Sequence, residues 1–321
     1  MADVAKPWGP TKPVSKGASG YHDAVVDAEY YIENLKELAK IVREKIKDKD
    51  IVLDFGAGTG ASSICLLNEI KVNFKLWLVD NSAAWLGKAY EIFKGNPNVE
   101  LFLLEKVGNG FATLAETVGT GTVNHVISAN TLHLVPDLHG TFSDMRNALK
   151  EDGTITFQSG NILRNGRKEG VLMVDDTINR VHDIALDIIR NNDEFRSYRA
   201  KLQENIEKEK EQRSFVFPAP RNLETYLSTL KEAGFRNLTT FYKLIKIRYT
   251  DWLNFLRVHR LQAGILPEVG GKEASPEEEA ARDKLITLAA YKLFKELEET
   301  NAMADSSSFT CEWVYVSAIR S

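Results

Sequence analysis

The stretch Ile-Val-Leu-Asp-Phe-Gly-Ala-Gly-Thr-Gly at residues 51–60 decides the fold. Its apolar start predicts a short buried strand, and its three glycines predict a sharp turn. Glycine has no Cβ, so a ligand can approach the backbone of such a turn closely. A helical pattern resumes after Gly60. A strand that leads through a glycine-rich loop into a helix is the usual place for a nucleotide-like ligand in an open α/β sheet.

The composition is that of an ordinary globular protein with a substantial core. The 321 residues are 43% apolar and 27% charged, and the net charge of −4 gives no general attraction to nucleic acid or an anionic membrane. Two distant cysteines predict neither a disulfide framework nor a metal site, and they favour a reducing, cytoplasmic location. No apolar run approaches the ~20 residues that span a bilayer, and the basic, proline-rich N-terminus is not a signal peptide.

Alternating strands and helices predict an α/β fold with a largely parallel sheet, whose strands end together at one edge. The predicted strands after the first lie at 74–79, 99–104, 123–129, 154–158, 238–249 and 310–319. Helices are predicted over residues 23–47 and 171–212, and another is predicted to start at Thr250 and Asp251 and to carry Trp252 and His259. A capping-type Ser275–Glu278 predicts the start of a further helix that runs to about residue 299. The chain divides into a flexible N-terminal arm (1–22), a ligand-binding core (23–160), cap helices with completion of the sheet (161–249), a helical cap insertion (250–308) and a last core strand (309–321).

Two kinds of nucleotide site compete at the glycine loop. The dinucleotide fingerprint is G-x-G-x-x-G, whereas here the spacing is G-x-G-x-G with Asp54 two residues before the first glycine. That carboxylate would repel a pyrophosphate. S-adenosylmethionine fits better, because it has an ammonium group, a sulfonium and a ribose but no phosphate. Asp80, at the end of the second strand, suits the two ribose hydroxyls.

The chain resembles the class I S-adenosylmethionine-dependent methyltransferases. The resemblance covers roughly residues 25–160 through VLDFGAGTG, LWLVD, VELFLLE, HVISANTLHLVPD and LKEDGTITF, in the family's order. Within the family it looks most like small-molecule methyltransferases of the trans-aconitate and juvenile-hormone-acid type. The resemblance implies a Rossmann-like seven-stranded sheet with helices on both faces, and it implies methyl transfer that leaves S-adenosylhomocysteine.

The resemblance also implies a set of cofactor-binding residues. Asp54, Gly56, Ala57 and Gly58 would hold the methionine part, with Ala129 and Asn130 beside it. Asp80 would bind the ribose, while Asn81, Glu105 and Lys106 would lie near the adenine. Tyr21 is a further candidate, because it lies where the arm becomes the first helix.

Structural roles compete with several of these assignments. The glycines could form a tight turn without a ligand, and Asp80 could cap the following helix. Glu105 could be a solvated loop carboxylate. Tyr21 could contribute packing only.

The C-terminal half predicts a helical cap that encloses a small-molecule pocket and excludes water from the reaction. His133 is the candidate general base, although a packed histidine fits equally well. Arg164 is a candidate for binding an anionic substrate, against a solvated loop arginine. Trp252 and His259 are candidate substrate contacts, against core packing.

The sequence therefore predicts a cytoplasmic methyltransferase for a small organic molecule. O-methylation of a carboxylate or hydroxyl is favoured, with N- or C-methylation as alternatives, and neither nucleic acid nor membrane is an expected partner. The protein is expected to be a monomer or homodimer. A macromolecule methyltransferase is less consistent, because no Asn-Pro-Pro-Tyr-type tetrad or dense basic patch is present. A non-catalytic protein that binds S-adenosylmethionine or S-adenosylhomocysteine is the alternative from another class.

Overall fold

The computed structural model describes residues 6–321 as a central sheet with helices on both faces. The strands are β1 (Ile51–Phe55), β2 (Lys75–Asp80), β3 (Val99–Leu103), β4 (Lys106–Val107), β5 (Gly110–Phe111), β6 (Val123–Ala129), β7 (Leu149–Ser159), β8 (Ile162–Leu163), β9 (Arg221–Asn222), β10 (Phe235–Arg248) and β11 (Ser308–Arg320). Strands β4 and β5 pair with each other, as do β8 and β9, outside the main sheet.

The α-helices flank this sheet in the order expected for βαβ units. They are α1 (Lys16–Val26), α2 (Glu29–Arg43), α3 (Ala61–Glu69), α4 (Ala83–Phe93), α5 (Leu114–Val118), α6 (Leu138–Ala148), α7 (Val174–Asn191), α8 (Arg196–Arg199), α9 (Leu202–Val216), α10 (Leu223–Glu232), α11 (Tyr249–Leu256), α12 (His259–Ile265) and α13 (Pro276–Thr300). Short 3-10 helices cover Leu132–Leu134 and Asp193–Phe195. None of the helices within residues 6–321 has the length and apolar character that crossing a bilayer requires.

The seven strands lie in the order β10-β11-β7-β6-β1-β2-β3. All neighbouring strands are parallel except β11, which runs antiparallel to both β7 and β10. The chain leaves β1 toward β2 and β3, then crosses to β6 on the other side of β1. This reversal is the position where open α/β sheets bind ligands. The predicted seven-stranded methyltransferase fold is confirmed.

Two apolar cores lie on the two faces of the sheet. Residues 52–54 of β1 are completely buried, as expected for a central parallel strand. One core joins the sheet to α2, α3, α4, α7 and α13, and the other joins it to α5, α6 and α10. Strand β1 therefore presents its carboxyl end at a rigid edge between two packed layers.

The N-terminal region differs from the prediction in its helix bounds. The single helix predicted from Asp23 to Lys47 is two helices, and α1 begins at Lys16, so residues 16–22 of the predicted arm are helical. The hydroxyl of Ser15 caps α1 by accepting a hydrogen bond from the amide of Ala18 at 3.2 Å. Residues 1–5 of the predicted arm lie outside the described residues.

The insertion between β10 and β11 consists of α11, α12 and α13. The predicted Ser275–Glu278 capping box begins α13. Helix α13 packs on α7, α11 and α12, while α12 also packs on α1. Residues from both ends of the chain thus meet over the carboxyl edge of the sheet.

Candidate functional site

The glycine loop between β1 and α3 has the left-handed backbone that its glycines allow. The φ angles of Gly56, Gly58 and Gly60 are +67°, +56° and +86°. A Cβ on Gly56 would lie 2.2 Å from Cγ2 of Thr131, whereas nothing lies within 4 Å of a Cβ on Gly58. The amides of Gly56 and Ala57 donate to the carbonyl of Val79. Gly56 is therefore required by packing, and Gly58 borders open space.

Asp54 is a fully buried carboxylate at the end of β1. Its Oδ2 accepts hydrogen bonds from the hydroxyls of Ser62 at 2.5 Å and Ser63 at 2.7 Å. Its Oδ1 is buried and has no partner among the described residues. Burial raises the pKa of Asp54 to about 6, against the effect of the two serines. An ammonium group would supply the missing partner and favour the ionised form, so the arrangement fits the amino-acid end of S-adenosylmethionine.

Asp80 accepts one backbone hydrogen bond on each carboxylate oxygen. The amide of Gly58 donates to Oδ2 at 2.9 Å, and the amide of Ser82 donates to Oδ1 at 2.8 Å. The second of these bonds fixes the turn that precedes α4, whose N-cap residue is Ser82 and not Asp80. Each oxygen still has acceptor capacity, so the carboxylate could also bind two ribose hydroxyls.

Asn130 follows β6 in a left-handed conformation, with φ +51°. Its Oδ1 accepts a hydrogen bond from Nε1 of Trp313 at 3.2 Å. The hydroxyl of Thr131 donates to the carbonyls of Gly56 and Ala129, at 3.1 Å and 3.0 Å. The structure therefore joins the end of β6 to the glycine loop, as the cofactor prediction requires.

Asn81, Glu105 and Lys106 have exposed side chains beyond the ends of β2 and β3. The carbonyl of Glu105 accepts a hydrogen bond from Ala112, which fixes the backbone there. Their roles near the adenine remain predictions.

An aromatic run crosses the carboxyl edge of the sheet from the side of Asp80 to that of Asn130. It consists of Trp85, Tyr21, Phe255, Trp252, Tyr30 and Trp313, and successive ring centroids lie 4.8, 6.3, 4.9, 6.1 and 6.2 Å apart. These rings come from α1, α2, α4, α11 and β11. The run contains two of the sequence candidates, Tyr21 and Trp252, and ends at Trp313, which bonds to Asn130.

Helix α1 is held on the glycine loop by polar contacts beside this run. Nδ1 of His22 lies 3.0 Å from the hydroxyl of Thr59. The Tyr21 and Tyr31 hydroxyls lie 3.4 Å apart. Burial raises the pKa of Tyr31, and the neighbouring side chains of Tyr21 and then Asn130 oppose this rise. Tyr21, Tyr31, Asn130 and Trp313 are called the cluster around Asn130 below.

Three buried polar atoms near the run have no hydrogen-bond partner among residues 6–321. They are Oη of Tyr30, Nε1 of Trp252 and Oε1 of Gln158. Nε2 of Gln158 donates to Oδ1 of Asn34 at 2.8 Å, so one end of this amide is held while the other is free. Buried polar atoms without partners are uncommon in native proteins, so a bound molecule is an expected partner.

His133 lies in the 3-10 helix after β6. Its Nδ1 is 3.0 Å from the hydroxyl of Ser159, which also accepts the amide of Asn161 at 2.9 Å. Burial, and secondarily Arg221, lower the pKa of His133 to about 4, so the imidazole is neutral at pH 7. Because Ser159 follows Gln158 along β7, their side chains point to opposite faces. The structure therefore places His133 beside β7 on the side away from the Gln158–Asn34 contact.

Two predicted substrate contacts are engaged elsewhere. Arg164 forms a bidentate ion pair with buried Glu312, at 2.5 Å and 2.8 Å. Glu312 adjoins Trp313 on β11, so Arg164 lies on the opposite face of that strand from the aromatic run. His259 is exposed and pairs with Glu279 at 2.8 Å. The structure does not bring either residue to the cluster around Asn130.

Several residues of this region were not identified from the sequence. Ser62 and Ser63 were recognisable in principle, because they follow the glycine loop within the first turn of α3. Gln158, Trp313 and Arg260 carried no local signal. Their positions depend on which strands and helices meet at the edge of the sheet.

The comparisons with known proteins agree with this geometry. A family model described as "Methyltransferase domain" matches residues 26–240. No curated protein matches the chain.

Solved structures of three proteins resemble the whole fold at low sequence identity. YcgJ from Bacillus subtilis is 14% identical with a TM-score of 0.50, covering 88% of this chain and 98% of its own. A Galdieria sulphuraria protein described as a sarcosine dimethylglycine methyltransferase is 13% identical with a TM-score of 0.52, covering 96% and 99%. Haemonchus contortus phosphoethanolamine N-methyltransferase 2, in complex with S-adenosyl-L-methionine, is 16% identical with a TM-score of 0.50, covering 95% of this chain and 56% of its own. At these identities the likeness concerns the fold.

Proposed function

Because the chain belongs to the methyltransferase domain family, we propose that it transfers the methyl group of S-adenosylmethionine to an oxygen of a small organic molecule. The aromatic run is the observation that carries the small-molecule part of this proposal. Its six rings cover the edge of the sheet between Asp80 and Asn130, and such a cover favours an enclosed acceptor over a bulky macromolecule.

The roles of the cofactor residues follow from their contacts. Asp54 receives the ammonium group on its unpartnered Oδ1, and Gly58 leaves room for the ligand beside the backbone. Asp80 accepts the ribose hydroxyls. S-adenosylmethionine supplies an electrophilic methyl group on sulfur. The surrounding aromatic side chains exclude water and orient the acceptor.

A hydroxyl acceptor is favoured over a carboxylate. The resemblance to trans-aconitate and juvenile-hormone-acid methyltransferases keeps a carboxylate in the proposal. Arg164, the residue predicted to bind such an anion, is instead paired with Glu312. Tyr30, Trp252 and Gln158 offer uncharged hydrogen-bonding atoms, which suit a neutral acceptor. His133, neutral above its lowered pKa, is the proposed proton acceptor. Because His133 bonds to Ser159 on the opposite side of β7 from Gln158, the acceptor hydroxyl would have to lie beyond the carboxyl end of β7 to reach it.

Calorimetric titration with S-adenosylhomocysteine, followed by methyl-transfer assays on a panel of small hydroxyl, carboxyl and amine compounds, tests the proposal. We expect binding to the natural chain, binding at least about 10-fold weaker in Asp80→Ala, and transfer to an oxygen acceptor. His133→Gln should lower kcat about 100-fold without changing cofactor affinity. Undiminished binding in Asp80→Ala would overturn the cofactor assignment. Binding without transfer to any compound would favour a non-catalytic binding protein, and unchanged kcat in His133→Gln would remove His133 as the base.

A further inference from the structure

The β10–β11 insertion reaches the ribose end of the proposed cofactor site through Arg260. This residue lies in the first turn of α12, which packs on α1, and its Cβ lies 4.0 Å from the position of a Cβ on Gly17. The Cζ atom of Arg260 is 4.5 Å from the ring centroid of Trp85, in the first turn of α4. Because α4 follows β2 directly, Trp85 and Arg260 both lie near Asp80.

Arg260 is an exposed residue, and its charge and that of Asp80 influence each other's pKa. Partial burial lowers the pKa of Arg260, and Asp80 raises it. Arg260 in turn opposes the effect of burial on the pKa of Asp80. No ion pair or hydrogen bond of the Arg260 side chain is found among residues 6–321, and its guanidinium contacts the face of Trp85. Its donors are therefore available to a ligand at Asp80.

We propose that Arg260 binds a ribose hydroxyl of the adenosyl group, so that the insertion helps to hold the cofactor as well as to cover the acceptor. This inference rests on the proposed function. A ribose hydroxyl can donate to a carboxylate while it accepts from a guanidinium, so Asp80 and Arg260 complement each other. The face of Trp85 holds the guanidinium by a cation–π contact, which limits the conformational freedom that binding would otherwise cost.

Calorimetric titration of two ligands tests this assignment. S-adenosylhomocysteine contains both the adenosyl and amino-acid ends, whereas 5′-methylthioadenosine contains only the adenosyl end. We expect Arg260→Ala to weaken both ligands by the same factor, about 10- to 100-fold. Arg260→Lys keeps the charge but loses the planar fork, so its loss should be intermediate. His259→Ala is the matched control, because this neighbouring side chain is exposed and paired with Glu279, and it should bind both ligands like the natural chain.

The possible results separate this inference from the proposed function. Normal binding of both ligands by Arg260→Ala would overturn the role of Arg260 while leaving the cofactor assignment intact. A loss confined to S-adenosylhomocysteine would place Arg260 at the amino-acid end and would also overturn it. No binding by the natural chain would instead reject the proposed function. If Arg260→Ala does not fold, Arg260→Lys decides, and undiminished binding by that folded variant would overturn the assignment.

Discussion

The glycine loop and the β10–β11 insertion approach the same site in different ways. The loop, residues 51–60, acts through backbone geometry and one buried carboxylate, Asp54. In our proposal the insertion acts through side chains on short helices, above all Trp252 on α11 and Arg260 on α12. Backbone geometry leaves a local sequence signature, whereas side chains gathered from distant elements resemble ordinary core residues. The comparison explains why the methyl donor is easier to identify than the acceptor.

The largest expected effect concerns the loop itself. Gly56→Ala should lower the free energy of unfolding by about 2–5 kcal/mol, because it adds left-handed strain and a contact with Thr131. Gly58→Ala is the matched control, since it has the same type of backbone but open space, and should cost about 1–2 kcal/mol. Urea denaturation measures both. Equal losses would show that backbone strain alone, not packing against Thr131, requires glycine at position 56.

A second prediction concerns the buried charge of the loop. The pKa of Asp54 is raised from 3.8 to about 6 in the folded protein, so its contribution to stability is fully present below pH 3.8 and is lost as pH rises through 6. By pH 8 the difference amounts to about 3 kcal/mol. The ligand-free Asp54→Asn variant should therefore gain stability relative to the natural chain between pH 4 and pH 8.

Urea denaturation at several pH values measures this difference between the two proteins. Burial also raises the pKa of Asp80, but both proteins contain Asp80. Its contribution to the pH dependence therefore cancels when the two proteins are compared. The same variant should bind S-adenosylhomocysteine more weakly at pH 8, because the ammonium group loses its charged partner. An identical pH dependence of stability in the two proteins would contradict the assignment.

The smallest expected effect belongs to the insertion. Trp252→Phe keeps an aromatic ring but removes the unpartnered Nε1 donor. We expect the KM for the acceptor to rise about 10-fold, with unchanged affinity for S-adenosylhomocysteine. Tyr249→Phe is the control on the same helix, because its hydroxyl bonds to the carbonyl of Asp305. A matching change in cofactor affinity would assign Trp252 to the donor half of the site.

The predicted strands and the order of the main elements agree closely with the structure, since each depends on short-range periodicity. Helix ends are less well predicted. The helix predicted over residues 171–212 is divided into α7, α8 and α9, with breaks at positions 192 and 200–201. Tertiary packing decides such breaks, because the apolar stripe of α7 packs on α13 while α9 remains largely exposed.

The insertion shows why single residues are harder to predict than elements. The sequence predicted one helix from Thr250 that carries two candidate substrate contacts, Trp252 and His259, whereas the structure divides this segment into α11 and α12. Neighbouring helical residues differ in direction by about 100°. The structure directs His259 to Glu279 at the surface and Arg260 toward Trp85 and Asp80. A prediction that is wrong by one position along a helix therefore names a side chain that points in a different direction, as His259 does compared with Arg260.

The amino-acid sequence by itself determined the α/β fold, the methyltransferase family and the glycine loop at residues 51–60. Strand periodicity, glycine spacing and the position of Asp80 are local properties of the chain. Only the tertiary structure decided which side chains surround the glycine loop. It paired Arg164 with Glu312, and it assembled aromatic rings from α1, α2, α4, α11 and β11. Those contacts join residues far apart in the chain, and the topology of the sheet brings them together.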